Sequence, residues 1–89
     1  MERRQVYYSG RVQGVGFRYT ARQIADRFDV TGFVENLGDG RVELVAEGEP
    51  AEIDRFLAEL RGAMRRYIDG EQPQTRAVTG EFEGFSIRH

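Results

Sequence analysis

The chain has 89 residues, a formal net charge of −2 and no cysteine. That length suits one small domain, residues 1–89, that buries a modest core without disulfides or a thiolate metal site. All 13 basic side chains are arginine, the single histidine is His89, and no apolar run reaches membrane-spanning length, which argues against a general nucleic-acid binder, a histidine-ligated metal and a membrane protein. No signal-peptide pattern opens the chain, so the expectation is a soluble, cytoplasmic monomer without a cofactor.

Gln5 to Val12, rich in Val and Tyr, reads as a first strand. A glycine-punctuated stretch follows, Gly10-Arg11-Val12-Gln13-Gly14-Val15-Gly16-Phe17-Arg18. A helix is expected from about Phe17 to Phe28, where Ala21, Ile24, Ala25 and Phe28 make one apolar stripe at helical spacing. Val30 to Leu37 reads as a second strand, Gly38-Asp39-Gly40 as a turn, and Arg41 to Glu47 as a third strand of alternating pattern. Pro50 suits the first position of a second helix, whose stripe is Ile53, Phe56, Leu57 and Leu60 and whose end is expected at Gly62. Tyr67 to Gln74 should hold a fourth strand, although Gly70 and Pro73 leave its register open. Thr75 to Gly80 is polar and expected to be a mobile loop, and Glu81 to Arg88 reads as a closing strand anchored by Phe82, Phe85 and Ile87.

The order β-α-β-β-α-β, with one short extra strand, is an α+β, ferredoxin-like sandwich. Two helices cover one face of a mainly antiparallel, four- to five-stranded sheet. A crossover through the first helix makes strands one and two parallel, with strand three antiparallel between them. Their C-terminal ends then lie at one sheet edge, two strand spacings or about 10 Å apart. Arg18 starts the helix after the first strand and Asn36 lies near the end of the second, so the topology predicts that they meet.

The loop carries the chemistry. Gly14 and Gly16 can take positive φ, so that several successive N–H groups turn toward one point. The first N–H groups of the helix have no intrahelical partner and sit at the positive end of its dipole. With the Arg18 fork added, Gln13, Gly14, Val15, Gly16, Phe17 and Arg18 form a candidate cradle for phosphate or carboxylate. The stretch lacks the Lys-Ser/Thr pair of a P-loop and the glycine spacing of a dinucleotide site. Taken alone, it is equally a tight turn with Arg18 in solvent.

Two stretches resemble the acylphosphatase family. Gly10 to Arg18 is similar to its first signature at every characteristic position. Gly32-Phe33-Val34-Glu35-Asn36-Leu37-Gly38-Asp39-Gly40-Arg41-Val42, continuing to Gly48, is similar to its second, and Gly84-Phe85-Ser86-Ile87-Arg88 extends the likeness over nearly the whole chain. The resemblance implies the same fold and a reaction, hydrolysis of an acyl phosphate to carboxylate and inorganic phosphate. It also implies that Arg18 binds the phosphoryl group and Asn36 positions the attacking water. Phosphate or sulfate would then bind as product or inhibitor. The alternative is a non-catalytic anion-binding module of the same fold. An RNA-binding ferredoxin-like domain needs aromatics on its central strands, and Arg41 to Glu47 has none.

Other side chains have simpler expected roles. Strand alternation points Glu35 to the face opposite Asn36. Gln13 is expected to contribute only its N–H, and Thr20 to be structural. Tyr8 and Phe33 are expected on the exposed sheet face. The carboxylate of His89 is a candidate partner for a nearby arginine, Arg18 among them.

Overall fold

The computed structural model describes residues 1–89. Strand β1 (Glu2–Gly10) leads through the glycine loop into α1 (Phe17–Ala25), then β2 (Val30–Asn36), β3 (Val42–Gly48), α2 (Pro50–Ala63), a single 3₁₀ turn (Arg65–Tyr67), β4 (Ile68–Arg76) and β5 (Phe85–Arg88). The sheet order is β4-β1-β3-β2-β5. Pairing is antiparallel except between β2 and β5. The two helices pack on one face, as a ferredoxin-like sandwich requires.

At nine residues, α1 is too short to be stable alone. It is held by Phe17, Ala21, Ile24 and Ala25, which are buried. It ends three residues earlier than the stripe predicts. The N–H groups of Arg27 and Phe28 switch to tighter bonds with the carbonyls of Ile24 and Ala25, and Phe28 still packs against the core from beyond the helix. In α2, Pro50 stands at the start and Ile53, Phe56, Leu57 and Leu60 are buried. Gly62 does not end this helix, which runs on to Ala63. These side chains meet Val6 and Tyr8 of β1, Val34 of β2 and Val42, Leu44 and Ala46 of β3 in one core. A fully buried residue of this kind contributes about 1.5–3 kcal/mol, so packing rather than helix propensity fixes both helices.

Tyr8 is a correction to the sequence reading. It is fully buried on the helix side, its ring 4.9 Å from that of Phe17, and not on an exposed face. Its register partner across β1–β4 is Glu71. The phenol oxygen has no hydrogen-bond partner, and burial pushes its ionisation well above the ordinary tyrosine value.

The other sheet face is only partly open. The segment 77–84 runs from β4, at one edge of the sheet, to β5, at the opposite edge, and crosses this face as a strap. Phe82 packs on Phe33 with ring centroids 5.9 Å apart, and the Arg88 guanidinium lies 3.7 Å above the Phe33 ring. Phe33 is therefore buried and not exposed as expected. Glu47 latches the strap. It is 3% exposed and accepts the N–H of Thr79 at 2.9 Å and of Gly80 at 3.0 Å. Arg3 reaches Glu47 and Glu81 together. The expected mobile loop is thus tied down: Thr75 and Arg76 belong to β4, and Thr79 and Gly80 are bound. Burial alone would raise the Glu47 carboxyl, but the Thr79 and Gly80 N–H groups, the Thr79 hydroxyl and Arg3 outweigh it and hold the group below its ordinary value.

Candidate active site

Gly16 stands immediately before α1 with φ 80° and ψ 19°, and Gly14 has φ 78°. This left-handed region costs other residues about 1–2 kcal/mol. A Cβ at either position would meet nothing within 4 Å, so backbone conformation, not crowding, requires glycine here. The path these two residues set leaves the N–H groups of Gln13, Gly14, Val15, Gly16, Phe17, Arg18 and Tyr19 without a protein acceptor. No side chain caps α1, and its first turn carries no acidic residue. The positive end of the helix is therefore uncompensated.

A cavity of about 170 Å³ opens at this helix start. Gly14, Gly16, Phe17 and Arg18 come to it from the loop and helix, Asn36 from the end of β2, and Ile87 from β5. The proximity of Arg18 and Asn36 predicted from topology is what the fold produces. Asn36 pairs through its backbone with Val42, which fixes the strand end while leaving the side chain beside the cavity. The Arg18 guanidinium makes only long contacts: Nη1 donates to the Arg88 carbonyl at 3.3 Å and lies 3.4 Å from His89 Nδ1. An anionic oxygen at the usual 2.7–2.9 Å of a charge-assisted bond would outcompete both. The partner of Arg18 at this end of the chain is a carbonyl and an imidazole, not the expected terminal carboxylate.

Two cradle residues, Gln13 and Val15, do not line the cavity. Val15 is half-buried against the core. Gln13 does more than lend an N–H. Its Nε2 donates to the carbonyls of Leu37 at 2.8 Å and Arg41 at 2.9 Å. Those carbonyls belong to the β2–β3 turn, where the Leu37 N–H is itself bonded to Arg41 O at 2.8 Å. Asp39 closes the turn by accepting the Arg41 N–H at 3.1 Å and its Nε at 2.9 Å. The side chain of Gln13 thus ties the loop before Arg18 to the turn after Asn36. Thr20 lies outside the cavity and its N–H bonds Gly16 O at 2.9 Å. Glu35 falls on the strap side of β2, opposite Glu43 of β3 and out of the cavity.

Sequence reading missed three walls: Val12, Tyr19 and Ile87 all border the cavity. Tyr19 follows Arg18 in the first helical turn, a position that signals nearness to any ligand held there. Ile87 was legible only as a strand anchor, because its nearness depends on β5 pairing parallel with β2.

A family model described as acylphosphatase matches residues 4–87. The chain is 46% identical over 88 residues to an acylphosphatase of Methylococcus capsulatus, covering 98% of this chain and 96% of that protein. Among solved structures it is similar to acylphosphatase from Bacillus subtilis, with a TM-score of 0.89, 30% identity and full coverage of both chains. It is also similar to T. kodakarensis HypF, with a TM-score of 0.85 and 30% identity, where it covers all of this chain and 12% of that one.

Proposed function

The chain belongs to the acylphosphatase family, and from that premise we propose how its residues hydrolyse an acyl phosphate. The N–H groups of residues 13–18 and the Arg18 fork hold the phosphoryl oxygens. Asn36 holds a water in line with the bond to the acyl group. Water oxygen bonds to phosphorus as the bridging P–O bond breaks, and the carboxylate leaves with the bonding electrons. One proton of the water stays on the new P–OH and the other passes to a phosphoryl oxygen. Asn36 is no base near neutral pH, so it orients the water and does not take its proton. The carboxylate is a good leaving group and needs no strong acid. Catalysis is then positioning plus stabilisation of charge on the equatorial oxygens, which Arg18 and the loop supply.

The observation that carries this reading is one shared cavity for Arg18, Asn36 and the unpaired N–H donors of Gly14, Gly16 and Phe17. Residues 1–89 act as one domain, and we take it to be a cytoplasmic monomer; no helix is long and apolar enough to cross a membrane. The second reading is an anion-binding module of the same fold without turnover; the match to a small part of HypF shows that the fold also occurs within a larger chain. Phosphate release from acetyl phosphate, set beside release from an ordinary phosphate monoester, separates the two. The expected result is rapid release from acetyl phosphate alone, unchanged by a chelator. Phosphate binding without release supports the module. Loss of activity with chelator and rescue by a divalent ion overturns the mechanism.

A further inference from the structure

We propose that Tyr19 is the acyl-group platform of this site and makes the enzyme prefer acyl phosphates with a flat, apolar acyl group; the proposal rests on the reading above. Drug-sized ligands occupy pockets of roughly 300–1,000 Å³. The cavity here is about 170 Å³, equivalent to roughly five or six waters at ~30 Å³ each. A phosphoryl group and its water take up about half of that space at ~30 Å³ per water volume. Any acyl group larger than acetyl must pass over the rim.

Tyr19 stands on that rim. It is 60% exposed and is one of only three large apolar or aromatic side chains so exposed, with Met1 and Val78. Its phenol oxygen accepts a bond from Gln23 Nε2 at 3.0 Å, one helical turn on. This contact favours one orientation of the exposed ring, which lowers the ordering cost of binding against it. Ile87 supplies a second apolar wall, and no acidic side chain borders the cavity. Arg18 is the one arginine there, and the phosphoryl group claims it; His89, whose Nδ1 lies 3.4 Å from Arg18 Nη1, also lines the cavity. An aromatic acyl group finds a ring at the rim, whereas one carrying a second anion finds no arginine beyond Arg18. Aromatic pairs are favourable beyond their buried area, so the preference should be measurable.

The test compares the full chain with Tyr19→Ala and Tyr19→Phe. It measures kcat/KM for benzoyl phosphate and acetyl phosphate and the inhibition constant of inorganic phosphate. Tyr19→Ala is expected to lower the benzoyl-to-acetyl ratio of kcat/KM about fivefold, with any loss shared by both substrates and by phosphate inhibition read separately from that ratio. Tyr19→Phe keeps the ring and should keep the preference. An unchanged benzoyl-to-acetyl ratio in Tyr19→Ala, or equal losses on both substrates, overturns the platform while leaving the hydrolytic reading intact. Wild-type chain that hydrolyses neither substrate overturns both. The ring is exposed, so the alanine variant is expected to unfold at the wild-type urea midpoint.

Discussion

Arg18 and Asn36 border the same cavity but are held differently, and that difference separates their expected effects. Arg18 has only two long contacts with the protein. Removing it costs the fold little and the ligand much. Hydrogen bonds to charged groups are worth roughly 1.5–3 kcal/mol each, so Arg18→Ala should weaken competitive inhibition by phosphate about ten- to a hundredfold. Asn36→Ala should do the reverse, with phosphate affinity near wild type and turnover down about 10²–10³, the loss typical of one oriented donor. Parallel losses of binding and turnover in Asn36→Ala would make it a ligand of the substrate. Away from the site, Tyr8 buries a phenol oxygen with no hydrogen-bond partner. A buried polar group left unpaired costs about 1–3 kcal/mol. Tyr8→Phe is therefore expected to raise stability by about 1 kcal/mol, read as a higher urea midpoint at an unchanged m-value. A lower midpoint would mean that the hydroxyl is satisfied through water.

At the scale of elements, the loop and the β2–β3 turn behave as one unit because Gln13 joins them. The Gln13 amide bonds two carbonyls of that turn, at a net value of about 1 kcal/mol each. Gln13→Ala should lower stability by about 2 kcal/mol at most and weaken phosphate inhibition several-fold, although this amide touches no substrate. Unchanged inhibition would show that the glycines alone fix the loop. The joint also marks what sequence could and could not say. Helical stripes and strand alternation placed both helices and the first three strands to within a few residues, and the crossover rule placed Arg18 beside Asn36. These are local periods and a chirality, which a single chain displays openly. Gln13 to Leu37 is a contact between two loops with no period to announce it. Tyr8 was misplaced for a related reason. A tyrosine in an alternating strand suits either face, and only the position of α1, through Phe17, decides which one is dry. The register of β4 was hidden by Gly70 and Pro73. Pro73 is tolerated because β4 is an edge strand, where a missing N–H need break no ladder and helps to blunt the edge.

The whole molecule is a sheet with helices on one side and a strap on the other, and acid should act on the strap. The Glu47 carboxyl lies below its ordinary value in the folded state because the strap's N–H groups and Arg3 favour the anion. Its contribution is complete above the unfolded carboxyl value near 4.5 and is lost as pH falls through the lower folded value. Asp39 and Glu81 are displaced the same way, each by an arginine and nearby donors. Wild-type chain should lose stability below about pH 4.5, and Glu47→Gln should start less stable at pH 7 and fall less steeply, as read from urea midpoints across that range. Equal slopes would place the acid sensitivity elsewhere. The strap also completes the site. The glycine loop, α1 and Asn36 all precede β3, whereas the cavity's remaining wall, Ile87, and the carbonyl that contacts Arg18 belong to β5, beyond the strap. The grip on the anion and the wall opposite it thus come from the two ends of the chain, and the segment latched to Glu47 is what carries the second to the first.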